Sequence, residues 1–263
     1  MKAMDEIVLR LESVTKRFGG LVAVDNFTGY VKRGELLGLI GPNGAGKTTL
    51  FNLITGMYYP EGGRIYFENH DITFKKPFER TRMGIARTFQ NIRLFSDLTV
   101  LENVMVAQHL KLKSWIWLFK CVAKLPSALA LERRMREEGL KLLEIVGLKQ
   151  FANEKASALS YGLQRKLEIA RALATGPKLL LLDEPAAGMN PQETVELMNF
   201  IKWVRDHFKV TIIVIEHDMK VIMGICERIY VMDYGKLIAE GAPKQIQNDP
   251  IVRKAYLGEE VLL

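Results

Sequence analysis

Apolar and polar residues alternate along "IVLRLESV" from Ile7, the two-residue period of a half-buried strand. A second strand is predicted within "LVAVDNFTGYVK", and "ELLGLI" is a short apolar run that ends in glycine, a buried strand entering a loop. "GRIYFEN" and "GIARTFQ" read as further strands. From Thr99 to about Ala174 the spacing becomes helical, in "TVLENVMVAQHL", the tryptophan-bearing segment after it, and "LERRMREEGLKLLEIVGL". Buried strands then return at "KLLLLDE", "VTIIVIE" and "RIYVMD", separated by helices such as "PQETVELMNFIKWVRDHF". That order predicts an α/β fold, a largely parallel sheet with helices on its faces, interrupted by a helical insertion. "GKLIAEG" adds a short edge strand and "PKQIQND" a last helix.

Composition narrows the class. With 263 residues the chain has room for one large domain, or a core with a subdomain. No stretch reaches the roughly 18 apolar residues of a membrane span. Asp5 and Glu6 fall where a signal peptide would carry its apolar run, so no export signal is expected. Cys121 and Cys226 form no metal-ligand pattern and fit a reduced, cytosolic setting. The formal net charge of +7 favours anionic partners. The basic residues are scattered, which argues against nucleic acid.

The strongest local chemistry is "LLGLIGPNGAGKTTLFNLITG". Gly41, Gly46, Lys47 and Thr48 satisfy G-x-x-x-x-G-K-[ST] between a buried strand and a helix. Glycines let successive N–H groups turn inward onto phosphate oxygens. The helix start near Lys47 adds its positive end. Lys47 brings a mobile charge to the terminal phosphates, and Thr48 a hydroxyl to magnesium. At "KLLLLDEP" two acids stand at the carboxyl end of a buried strand, the end that lines the ligand crevice in an open α/β sheet. Asp183 can hold Mg2+ there, and Glu184 can activate a water against the γ-phosphate. "VTIIVIEHD" repeats the design and places His217 at a neighbouring strand end, either near the γ-phosphate or as an ordinary polar residue.

These stretches, with "RTFQ", "LSYGLQRKLEIARAL" and "GMNPQE", resemble in order and spacing the ATPase subunits of ABC transporters, over nearly the whole chain. The resemblance implies a P-loop NTPase core with a mostly parallel sheet, an N-terminal antiparallel β-subdomain and an inserted helical subdomain. It implies one ABC ATPase domain over 1–263, with 1–98 and 176–263 as core and 99–175 as the helical signature subdomain. It further implies that Gly41, Pro42, Asn43, Gly44, Ala45, Gly46, Lys47, Thr48 and Thr49 wrap the phosphates of ATP and that Phe18 stacks on adenine. Gln90 contacts Mg2+ with Thr48 and Asp183. Glu184 is the catalytic base, His217 the switch histidine, and Ser160 and Gly162 bind ATP held by an opposite subunit. The partners implied are a second copy or a homologous ATPase subunit, two transmembrane permease subunits and, indirectly, a solute-binding protein. The place implied is the cytoplasmic face of the inner membrane.

Within the family, "ARTFQNIRLFSDLTVLENVMVAQH", "EPAAGMNP" and the tail "QNDP…AYLGE" are similar to importers of branched-chain amino acids. Urea or other amino acids, or a soluble ATPase outside transport, are the alternatives. Two departures stand out. The usual LSGGQ appears as Leu159, Ser160, Tyr161, Gly162, Leu163, and an aspartate is replaced by Asn190. Tyr161 and Leu163 are expected to contribute only backbone N–H groups, with Ser160 as a helix cap. The basic stretch "KLKSWIWLFKCVAKLP", with Lys113, Trp117, Lys120 and Lys124, is expected to pack into the helical segment or else to lie at a membrane surface.

Overall fold

A computed structural model of the chain describes residues 6–111, 126–217 and 219–257. The Lys113–Lys124 stretch, with Cys121, lies outside these. The chain divides into two compact units, one of Met1–Gln90 with Lys178–Leu263 and one of Asn91–Pro177.

The first unit carries two sheets. Strands β1 (Ile7–Phe18), β2 (Leu21–Lys32), β4 (Gly62–Phe67) and β5 (His70–Asp71) form an antiparallel sheet in the order β2-β1-β4-β5. The second sheet has the order β10-β9-β3-β8-β7-β6. In it β3 (Leu36–Ile40), β6 (Ile85–Arg87), β7 (Leu179–Asp183), β8 (Thr211–Ile215) and β9 (Arg228–Asp233) run parallel, and β10 (Lys236–Gly241) closes one edge antiparallel to β9. The alternation in "IVLRLESV" and the uniform burial of β3, β7 and β8 follow from this. A sheet with one covered face buries every second residue, whereas parallel strands covered on both faces bury all. Leu9, Phe27, Leu39, Phe51 and Ile213 meet in one buried cluster that joins both sheets.

Helix α1 (Lys47–Thr55) leaves β3 through the glycine loop, and α2 (Pro77–Met83) follows β5. Arg80 of α2 is fully buried and caps the far end of α1, its guanidinium donating to the carbonyls of Leu53, Ile54, Thr73 and Lys75. Burial pushes its pKa down to about 10, and the four carbonyls replace lost water.

The second unit is helical: α3 (Val100–Gln108), α4 (Pro126–Ile145) and α5 (Tyr161–Ala174). Thr99 and Glu102 exchange bonds as a capping box at the start of α3. Residues 91–98, placed with the core on sequence grounds, cluster with this unit. The reason is local. Asn103 of α3 clamps Phe95 from both sides, accepting from its N–H at 2.9 Å and donating to its C=O at 3.0 Å.

Back in the first unit, α6 (Pro191–Phe208), α7 (Met219–Ile225), α8 (Pro243–Asn248) and α9 (Pro250–Leu257) complete the chain. The last of these was not anticipated. Among the described residues no helix is long and apolar enough to cross a membrane.

Candidate active site

The turn from β3 into α1 is held by backbone conformations closed to most residues. Gly41, Gly44 and Gly46 have φ of 151°, 79° and 100°. A Cβ on Gly41 would lie 2.1 Å from the carbonyl oxygen of Met232, and one on Gly46 would lie 2.2 Å from that of Ala23. Glycine is therefore demanded twice over, by torsion and by contact. Lys47 opens α1 and is only 5% exposed. Its ammonium folds back onto the loop, donating to Gly41 O at 2.7 Å and Pro42 O at 2.9 Å. Burial lowers its pKa, while the charges of Glu184 and Asp183 oppose that shift.

The loop forms one wall of a cavity of about 360 Å³, a size suited to a small ligand. Asn43 to Thr49 line it together with Phe18, Glu184, His217 and Tyr234. Phe18 stands at the end of β1, half exposed, with Tyr58 edge-on to it at 5.1 Å between ring centres. Tyr234, in the β9–β10 turn, is almost fully exposed on the same cavity. The sequence reading missed it, because a lone tyrosine in a "DYG" turn carries no signal of what it faces.

Glu184 is the hub. It follows β7 with φ of 46°, the left-handed region that glycine favours. The chain turns there, and the carboxylate comes out between two neighbours. Gln90 Nε2 donates to Glu184 Oε2 at 2.7 Å, and His217 Nε2 lies 2.5 Å from Glu184 Oε1. Two residues, 94 and 33 positions away from Glu184 in sequence, thus share its carboxylate. Geometry of this kind lets a carboxylate accept a proton from a water while its neighbours fix its direction.

Asp183 is not on the cavity wall. It is buried and paired with Arg87, whose Nη2 donates to Oδ2 at 2.6 Å while Nη1 donates to Asn52 of α1 at 2.5 Å. Arg87 is a second residue the sequence reading missed. It lies next to β7 because β6 pairs there in parallel register, Arg87 opposite Leu181. Glu216 is a third. This buried carboxylate accepts from Ala186 N at 2.8 Å and pins the loop after Glu184 to the end of β8, and burial raises its pKa.

Ser160 and Gly162 lie in the second unit, at the start of α5. Ser160 occupies the cap position with extended torsions, but its hydroxyl makes no capping bond. A Cβ on Gly162 would meet nothing within 4 Å. Tyr161 does more than the expected backbone service. Arg165 Nη2 donates to its hydroxyl at 3.2 Å. Asn190 is also explained. Its side chain accepts from Glu193 N at 2.9 Å and caps α6, as an aspartate would. Nothing in the structure accounts for Leu163.

Known proteins are similar to this chain in sequence and fold. The profile of the family described as "ABC transporter" matches residues 24–187, and that of "Branched-chain amino acid ATP-binding cassette transporter" matches residues 236–261. The high-affinity branched-chain amino acid transport ATP-binding protein LivG of Escherichia coli is 48% identical over 97% of this chain and 100% of its own length. The corresponding BraF of Pseudomonas aeruginosa is 45% identical over the same shares. Among solved structures, the ADP conformation of MJ1267, an ATP-binding cassette of an ABC transporter, superposes with a TM-score of 0.82 at 35% identity, covering 96% of this chain and 99% of that one. A dimeric post-hydrolysis state of the cassette MJ0796, bound to ADP and Pi, superposes with a TM-score of 0.72 at 29% identity over 89% and 98%. With agreement over nearly its full length, the chain belongs to the ABC transporter family, as one of its ATP-binding ATPase subunits.

Proposed function

We propose that this ATPase powers the import of branched-chain amino acids. Two copies, or one copy and a homologous subunit, close head to tail. Each phosphate loop then faces the Ser160 and Gly162 of the other copy. The pair sits peripherally on the cytoplasmic face of the inner membrane, bound to two permease subunits that receive solute from a binding protein.

The observation that carries this reading is Glu184, held between Gln90 and His217 beside the phosphate loop. Glu184 takes a proton from the attacking water. His217 steadies the carboxylate from one side and faces the γ-phosphate. Gln90 holds it from the other, and we read it as the residue that senses the membrane partner. Phe18 stacks on adenine. Lys47 leaves the two loop carbonyls for the β- and γ-phosphates.

Thr48, Gln90 and Asp183 offer oxygen atoms only, the hard donors that suit Mg2+, which binds few protein groups and keeps phosphate and water for the rest. When bound, the ion neutralises charge on the phosphates. Arg87 takes one oxygen of Asp183, and the other is the one that would serve the ion.

The experiment is Glu184→Gln. ATP binding should persist, turnover should fall by about 10²–10⁴-fold, and an ATP-bound dimer should accumulate. Turnover within about threefold of the parent sinks the assignment. The solute is tested separately, by copurifying the chain with its membrane partners and measuring ATP-driven leucine uptake into vesicles.

A further inference from the structure

Beneath the start of α5 lies a buried ion pair for which hydrolysis as derived above has no use. Arg165 Nη1 donates to Glu168 Oε2 at 2.9 Å, and both side chains are 1% exposed. Each end of the pair reaches outward. Arg165 donates through Nη2 to the Tyr161 hydroxyl, with its guanidinium 5.6 Å from the centre of the tyrosine ring. The second carboxylate oxygen of Glu168 accepts from the backbone N–H of Arg93 at 3.3 Å. Two residues on, Phe95 is clamped by Asn103 and lies under the Arg171 guanidinium at 5.7 Å. An unbroken series of contacts therefore runs from Tyr161, beside Ser160 and Gly162, to the chain that directly follows Gln90. All of it lies within the second unit.

Burying such a pair yields little stability, because removing both charges from water costs several kcal/mol and a well-packed apolar set does as well. What it supplies is direction. The two Arg165 bonds lie within α5, at i,i+3 and i,i+4, and tie its first turn to Glu168, which carries the bond that crosses to Arg93 and so fixes the rotation of the helix against that segment. That rotation decides where the amides of its first turn point.

We propose that Tyr161, Arg165 and Glu168 are positioning residues that hold the phosphate-facing start of α5 in register with the segment after Gln90. The inference rests on the reading that Ser160 and Gly162 meet ATP bound by another copy. The unusual letter in "LSYGLQ" is then the outer end of this brace. A shift of the Arg93–Phe95 segment must carry Glu168 with it or break a buried bond.

The test uses the full chain. Tyr161→Phe keeps the ring over Arg165 and removes only the hydroxyl. In the Glu184→Gln background, the ATP concentration for half-maximal dimer formation should rise roughly three- to tenfold, the effect of one lost hydrogen bond of ordinary net strength. In the active background the same variant should raise the ATP requirement for turnover in step. ATP binding to the single copy, measured below the dimerisation range with a fluorescent analogue, should not change, and neither should the melting temperature. Glu168→Gln should act in the same direction. The double variant should be no worse than the stronger single one, as expected of residues that act as a unit. Gly162→Asp is the control. If it abolishes the dimer while Tyr161→Phe stays within about twofold of the parent, the brace is refuted and the site stands. If Gly162→Asp forms the dimer normally, the site reading fails and the inference with it. A fall in melting temperature that alone accounts for the loss would reduce Tyr161 to an ordinary packing residue and also overturn the proposal.

Discussion

The start of α1 and, on the reading proposed above, the start of α5 are open helix ends fitted to phosphate, and they use glycine for different reasons. At α1 the chain itself forbids a side chain. Gly41 and Gly46 have positive φ, and their Cβ atoms would strike backbone carbonyls at 2.1 and 2.2 Å. At α5 nothing in the chain objects, for the space around Gly162 is open to 4 Å. A glycine the fold requires points to the fold. A glycine the fold does not require points to something arriving from outside. The same contrast holds for charge. The first unit keeps its cation, Lys47, at the loop itself, whereas the second keeps Arg165 one turn back, beneath the helix start.

The buried ion pairs allow the largest test of this contrast. Arg87→Ala leaves Asp183 buried without its partner, and Arg165→Ala does the same to Glu168. Each should cost about 3–5 kcal/mol, the usual penalty for orphaning a buried charge. Hydrogen exchange should locate the first loss in β6 and β7 and the second in α5. If both variants lose protection across the whole chain equally, the two units fold as one and the comparison fails.

Glycine substitutions sharpen it further. Gly46→Ala should destabilise by about 1–3 kcal/mol from backbone strain, plus the clash, and should lose nucleotide binding. Gly162→Ala should leave stability within about 0.5 kcal/mol, as for a surface site. Urea unfolding of the two variants side by side decides this. A destabilised Gly162→Ala would mean that its environment is not open after all.

The smallest effect concerns Lys47. Its folded pKa lies below the unfolded value of 10.5 because burial disfavours the charge. Between those two pKa values the unfolded state binds more protons, so stability should rise with pH there. Below both pKa values both states are charged, and the buried charge is a fixed burden. Lys47→Met should remove both the burden and this slope. Unfolding free energies at alkaline pH up to the unfolded value of 10.5, nucleotide-free, are the measurement. An unchanged difference between variant and parent across that range would mean that Lys47 is better solvated than its burial implies.

Much of this was legible in advance, for reasons that differ from place to place. Period-two alternation, short apolar runs and helical spacing placed the main strands and helices, since burial imposes those patterns directly. The loop glycines and the acids after β7 could be read because their spacing is fixed by the backbone that carries them. Arg87, Glu216 and Tyr234 could not be read. Arg87 and Glu216 act on partners distant in the chain, Asp183 and Ala186, Tyr234 faces a cavity built from other segments, and no local pattern announces such a meeting. Helix α9 was missed because a single residue, Asp249, separates it from the end of α8, and it begins at a proline that looks like a stop but serves as a helix start. The side-chain bond of Tyr161 was hidden for a related reason. Its backbone role was visible from the helix start, whereas its side chain depended on Arg165 turning inward.

The left-handed backbone at Glu184 bears on how an ATPase of this build would decay. At φ of 46° a glutamate sits against its own preference, by about 1–3 kcal/mol, where glycine would rest at ease. With Glu184 as the proposed base, activity and stability pull this position in opposite directions. Once selection for hydrolysis is lifted, glycine or asparagine at 184 becomes the stabilising drift, and the protein gains melting temperature as it loses its reaction. A relative with the phosphate loop intact and a small residue at this turn would still close on ATP and never let go, a sensor made from an engine by one relaxed torsion.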